Sequence, residues 1–150
     1  IEFEAINKYN FVSLNGRNKI YKTNKTTIYD ETYNASPESV KACIENLLNS
    51  PNDHFLIFGS MRELGVKSKK YHKDLFDFIN RSDIKKCIFI CDKKDEIYYS
   101  EYLKKSTKFL FFNEIRKVGQ TINKYTKTGD FILVKGSRSW ELEKILKSID

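Results

Sequence analysis

Four short runs of uninterrupted apolar residues constrain the fold of this chain more than any other feature. They are Phe-Leu-Ile-Phe (55–58), Cys-Ile-Phe-Ile-Cys (87–91), Phe-Leu-Phe-Phe (109–112) and Phe-Ile-Leu-Val (131–134). A strand with one wet face alternates apolar and polar residues. A continuous run belongs to a strand covered on both faces, the condition met in a parallel sheet wrapped by helices. Stripes of helical period separate the runs: Val40, Ile44, Leu47 and Leu48; then Leu75, Phe76 and Ile79; then Ile115, Val118 and Ile122; finally Leu142, Ile145, Leu146 and Ile149. Residues 97–103 make a weaker helical stretch. Strands alternating with helices predict right-handed crossovers and a parallel sheet. Ahead of them, Ile20-Tyr21 and residues 26–29 read as two strands about an Asn24-Lys25 turn, while residues 1–14 are poorly patterned. The expected class is α/β: a Rossmann-like, mostly parallel sheet of about six strands flanked by helices.

The chain has 150 residues, 40% hydrophobic and 14% aromatic, which suits one ordinary domain and not a disordered segment. Opening on Ile1 rather than Met, it reads as a piece of a longer protein. The net charge of +7 raises the question of a polyanionic partner. The basic residues, however, are mostly lysines in scattered pairs such as Lys69-Lys70 and Lys104-Lys105, with few of the arginines that read base edges. No nucleic-acid partner is expected. Cys43, Cys87 and Cys91 are odd in number and lack metal-ligand spacing, which points to the reducing cytosol and to no metal site. No apolar stretch is long enough to cross a membrane, so no insertion is expected.

In such a sheet, ligands bind outside the carboxyl ends of the strands. Three loops there carry chemistry. Asp-Glu-Thr-Tyr-Asn-Ala-Ser-Pro (30–37) brings two carboxylates to a strand end, suited to ribose hydroxyls, just before a helix started by Ser36 and Pro37. Capping alone would explain most of these residues. Gly-Ser-Met-Arg-Glu-Leu-Gly (59–65) brackets a turn with glycines; by itself this is an ordinary connection. Lys-Gly-Ser-Arg-Ser (135–139) places two cations where a final helix is expected to present its N-terminus to an anion. A surface turn with two solvated cations is the plainer alternative. No phosphate loop of the G-x-x-x-x-G-K-[ST] type occurs, so a protein that handles ATP must hold most of the triphosphate elsewhere.

Taken in order, Tyr-Asn-Ala-Ser-Pro (33–37), Gly-x-Met-x-Glu-Leu-Gly (59–65) and Val-Lys-Gly-Ser-Arg-Ser (134–139) resemble the C-terminal domain of the MurF ligases, of the Mur ligase family. That family's usual patterns are YNANP, GDMxELG and VKGSR, with a histidine shortly after the second; His72 stands there. Gly16-Arg17 resembles the Gly-Arg pair at the junction with the central domain. The resemblance runs from about Gly16 to Asp150. Two positions depart from it: Ser60 replaces the aspartate of GDM, and Ser36 the second asparagine of YNANP.

The resemblance implies an ATP-dependent amide ligase of the bacterial cytoplasm. It would add D-alanyl-D-alanine to UDP-N-acetylmuramoyl-tripeptide through an acyl phosphate, in peptidoglycan precursor synthesis. ATP and Mg²⁺ would be bound mainly by an absent central domain. Residues 1–17 would be the end of that domain and the hinge, and residues 18–150 the C-terminal domain of a monomer. Arg17, Asp30, Glu31, Tyr33 and Asn34 would serve the nucleotide, Asp30 as the alternative to Glu31 at the ribose. Lys135, Gly136, Ser137 and Arg138 would bind the dipeptide. No catalytic residue is assigned within the domain, and His72 is read as packed or capping. The alternatives are a free-standing receiver-type regulatory domain, with Asp92 after a strand, and a folylpolyglutamate-type ligase domain.

Overall fold

The computed structural model describes residues 4–7 and 16–150. The expected hinge and domain end at 1–17 therefore lie mostly outside the described residues. All four apolar runs are strands: β4 (His54–Gly59), β5 (Ile84–Ile90), β6 (Phe109–Phe112) and β7 (Phe131–Lys135). The polar-flanked pieces ahead of them are β2 (Lys19–Lys22) and β3 (Thr27–Glu31), and the poorly patterned start contributes an edge strand, β1 (Glu4–Asn7). They form one sheet in the order β1-β2-β3-β7-β4-β5-β6. Strands β3 to β6 of that sheet run parallel, and β1 and β2 add antiparallel at one edge.

Helices α1 (Pro37–Leu48), α2 (Ser68–Arg81) and α3 (Lys93–Tyr102) follow β3, β4 and β5. The start signals of α1 hold locally. Ser36 accepts from the Ser39 N–H at 3.2 Å, the Ser39 hydroxyl accepts from the Ser36 N–H at 2.9 Å, and Pro37 opens the helix. The buried stripe of α1 is Val40, Ile44 and Leu47, and that of α2 is Leu75, Phe76 and Ile79 with His72. These pack one sheet face, around a cluster of Phe58, Phe76, Phe89 and Tyr99. Each such side chain contributes about 2 kcal/mol through burial.

The opposite face is covered by the short α4 (Val118–Asn123) and by the C-terminal segment Leu142–Ser148, over Ile28, Ile57, Ile88 and Val134. This last segment corrects one expectation. It is a 3₁₀ helix, preceded by a 3₁₀ turn at Arg138–Trp140 and by Glu141 in the left-handed region. No α-helix N-terminus follows Lys135–Ser139, so the helix-dipole argument for an anion there is withdrawn.

The topology creates the site. After β3 and β4 the chain passes to the α1/α2 face, but after β7, which lies between them, it passes to the other face. Connections that part to opposite faces leave a crevice at the carboxyl ends of the strands between them.

Candidate functional site

The three motif loops, together with the end of β5, meet along one edge of the sheet. Adjacent residues of a strand point to opposite faces, and this separates Asp30 from Glu31. Glu31 faces α1 and lines a cavity of about 400 Å³ with Arg17, Tyr33, Asn34, Cys43 and Lys135. Asp30 faces the other way, lining a cavity of about 390 Å³ with Tyr21, Thr32, Arg138 and Glu143. It is 2% exposed, and its Oδ1 accepts from the Thr32 N–H at 3.1 Å and hydroxyl at 2.7 Å. Asp30 thus braces the loop and does not share the Glu31 cavity.

The Glu31 carboxylate accepts the Asn18 N–H at 3.1 Å. Burial pushes its pKa up, against the pull of the Lys135 ammonium and that N–H. Lys135, from β7, is 4% exposed and donates to the Asn34 carbonyl at 2.9 Å. It therefore stands with Glu31, apart from the loop residues grouped with it by motif. Gly16 and Arg17 dock on the same loop: the Tyr33 N–H donates to the Gly16 carbonyl at 2.9 Å, and the Arg17 guanidinium lies 3.8 Å above the Tyr33 ring. Gly16 has φ +81, and a Cβ there would lie 2.8 Å from the Tyr33 nitrogen, so only glycine fits the clasp.

Tyr33, Asn34 and Ala35 also line a second cavity, of about 350 Å³, whose far wall is Arg62, Ser137 and Arg138. The two cavities thus adjoin across the Tyr33–Ala35 loop. Gly136 lets the ends of β4 and β7 close up: a Cβ on it would sit 2.9 Å from the Gly59 Cα. Ser137 is buried and accepts the Arg62 N–H at 2.7 Å. Arg138 is exposed, with one ion pair to Glu143 at 3.2 Å.

Several residues here were not singled out as a group in the sequence. Arg62 meets Asp92, at the end of β5, through two contacts of 2.7 and 3.4 Å, and lies 4.6 Å from the Trp140 ring. The indole N–H of Trp140 donates to the Ser60 carbonyl at 3.1 Å and hydroxyl at 3.2 Å. Ser60 therefore braces its loop without the carboxylate usual at that position. His72, 1% exposed, accepts the Met61 N–H on Nε2 at 2.9 Å, while its Nδ1 is 2.8 Å from the Ser68 carbonyl. This fixes the neutral Nδ1–H form, and burial lowers its pKa. The loop also holds Glu63 and Gly65 in the left-handed region, a conformation that persists only when its surroundings enforce it. A shared cue existed: Arg62 and Asp92 are charged side chains just past strand ends.

Cys87 and Cys91 are fully buried thiols, their pKa pushed up by burial, to about 12 for Cys91. Among the described residues no three His, Cys, Asp or Glu side chains converge as metal ligands, and no helix is long and apolar enough to cross a membrane.

Comparison with known proteins agrees with this layout. Residues 16–138 match the model of the family described as Mur ligase, glutamate ligase domain. The UDP-N-acetylmuramoyl-tripeptide–D-alanyl-D-alanine ligase of Rickettsia prowazekii is 32% identical over 132 residues, 87% of this chain and 29% of the relative. That of Buchnera aphidicola subsp. Acyrthosiphon pisum is 34% identical over 131 residues, 87% of this chain and 28% of the relative. The crystal structure of the MurF ligase of Thermotoga maritima in complex with ADP superposes with a TM-score of 0.78 at 29% identity, over 93% of this chain and 31% of that one. MurF of Acinetobacter baumannii shares the fold at a TM-score of 0.78 and 22% identity, over 92% of this chain and 31% of that one. The chain thus spans under a third of the length of these relatives. A receiver-type reading of Asp92 is set aside, since that carboxylate is committed to Arg62 and the match covers most of the chain. By its sequence, its sheet order and its strand-end loops, the chain belongs to the Mur ligase family, as a MurF-like C-terminal (glutamate ligase) domain.

Proposed function

We propose that this domain completes the site of an ATP-dependent amide ligase that joins D-alanyl-D-alanine to UDP-N-acetylmuramoyl-tripeptide. The supporting observation is a pair of adjoining cavities that offer two unlike ends: Glu31, Tyr33 and Lys135 at one, Arg62 and Arg138 with Glu63 at the other. The first end suits a nucleoside. It offers a half-buried carboxylate for sugar hydroxyls, an exposed tyrosine ring, and the Arg17 cation at its rim. The second end suits an amino-acid carboxylate, through guanidinium groups and serine hydroxyls. Asn34, on the shared wall, touches both.

ATP with Mg²⁺, when bound, supplies the phosphoryl group that makes a carboxylate electrophilic. The chain has no phosphate loop, so the triphosphate and metal are assigned to a central domain against which this one closes. What this domain's own residues do is position the partners and exclude water. Glu31 takes the ribose hydroxyls, and Lys135 holds the Asn34 loop in place beside it. Arg138 with Ser137 receives the dipeptide.

The test uses the full-length ligase. Glu31→Gln should raise KM for ATP about tenfold, the loss of one charge-assisted hydrogen bond, with KM for the dipeptide little changed. Arg138→Ala should do the reverse. Normal kinetics for both substrates in both variants would remove the assignment.

A further inference from the structure

Two guanidinium groups line the acceptor cavity, and they are held very differently. Arg138 has one ion pair, to Glu143 at 3.2 Å, with side chains 59% and 36% exposed. Such a pair is weak and lets the side chain swing. The Arg62–Asp92 pair is about as exposed, at 38% and 45%, but Arg62 has a second oxygen contact and a ring beside it. Its two terminal nitrogens meet the two oxygens of Asp92 at 2.7 and 3.4 Å, the Trp140 ring lies 4.6 Å from its guanidinium carbon, and its own N–H is taken by Ser137 at 2.7 Å. Trp140 is in turn held by two hydrogen bonds to Ser60. Two segments, the end of β5 through Asp92 and the turn after β7 through Trp140, thus hold this side chain, while Ser137 holds its backbone.

Guanidinium carries five N–H donors, and Asp92 engages two of its nitrogens from one side. Arg62 lines the cavity with Glu63, Ser137, Arg138 and Ser139, and its remaining donors are the ones a carboxylate bound there would use. A group fixed before its ligand arrives loses little freedom on binding it, and so discriminates better than a mobile one. Resting on the reading of this cavity as the acceptor site, we infer that Arg62 is a specificity-determining residue, the preorganised anchor that selects an acceptor ending in a free carboxylate. Asp92 and Trp140 are its positioning residues.

The experiment compares, in the full-length ligase, D-alanyl-D-alanine with its C-terminal amide. The wild-type enzyme should prefer the free acid. Arg62→Gln should raise KM for the acid about tenfold or more and leave KM for the amide within about twofold, so that the preference collapses. Arg62→Lys should restore part of it, keeping the charge but not the fork. Asp92→Asn, which loosens the tether and spares the cation, should raise KM for the acid by less than Arg62→Gln. Equal rises for acid and amide in Arg62→Gln would make Arg62 a mere strut and overturn the inference. So would an unchanged preference in Arg62→Gln together with a lost one in Arg138→Ala, which moves the anchor to Arg138. If the wild-type enzyme itself uses acid and amide equally well, the acceptor-site reading fails first, whatever Arg62 does.

Discussion

A neutral imidazole at the centre of the α2 face decides the shape of a loop some distance along the chain. His72 accepts the Met61 N–H with one ring nitrogen, a role that requires the uncharged ring, and donates to the Ser68 carbonyl with the other, which either form could do. Protonation would turn Nε2 from acceptor to donor and set it against another N–H. Burial lowers the folded pKa below the ordinary value of 6.5, with Asp95 and the Ser68 bond opposing. The sign follows: an unfolded chain takes up a proton near pH 6.5 and the folded one does not. Stability from this group is complete above that pH and is lost as pH falls through the depressed folded value. Urea midpoints for the wild type should drop between pH 7 and 5 by more than those of His72→Gln; parallel pH dependences would dismiss the coupling. His72→Ala should itself cost about 2–4 kcal/mol, a buried void plus an unmet backbone donor. The sequence allowed a packed or capping histidine but not this partner, because the acceptor it supplies is for a backbone group eleven residues away. The Arg62, Asp92 and Trp140 set was equally hidden, being three positions that only the sheet order brings together.

Among elements, the strands were the most legible, since a run buried on both faces has almost no other reading. The segment Leu142–Ser148 was misread as an α-helix for a definite reason. Over eight residues, an apolar stripe at Leu142, Ile145, Leu146 and Ile149 fits a period of 3.0 about as well as 3.6. The close meeting of β4 and β7 through Gly59 and Gly136 is a property of the pair and not of either strand. Gly136→Ala would bring a methyl group to 2.7 Å from Leu142 Cδ1 and 2.9 Å from the Gly59 Cα, where the second neighbour is backbone and cannot turn aside. Thermal unfolding should show a loss of about 2 kcal/mol, typical of overpacking. Gly65→Ala meets nothing within 4 Å and carries only the cost of φ +61, about 1 kcal/mol. Similar losses in the two variants would mean that the contact between strand ends is not what Gly136 is there for.

At the scale of the molecule, the class and the sheet edge bearing the site followed from the alternation of runs and stripes. That β7 inserts between β3 and β4 did not, since no periodicity in a strand records its neighbours. This insertion turns Glu31 and Asp30 into different cavities, with Arg138 reaching both the Asp30 cavity and the one that adjoins Glu31's, a separation that two adjacent acidic letters could not disclose. The ends proposed for a sugar and a carboxylate come with no phosphate loop in the sequence. This chain alone should therefore not turn over ATP in a phosphate-release assay; steady release by the purified domain would refute the division of labour proposed for it.

The chain's single tryptophan, Trp140, is wedged between Ser60 and Arg62. Every photon of indole emission from the domain therefore originates at that one spot. The molecule carries an optical gauge of the guanidinium above the ring, readable without a dye, and a dipeptide settling there would announce itself as a change of colour or brightness.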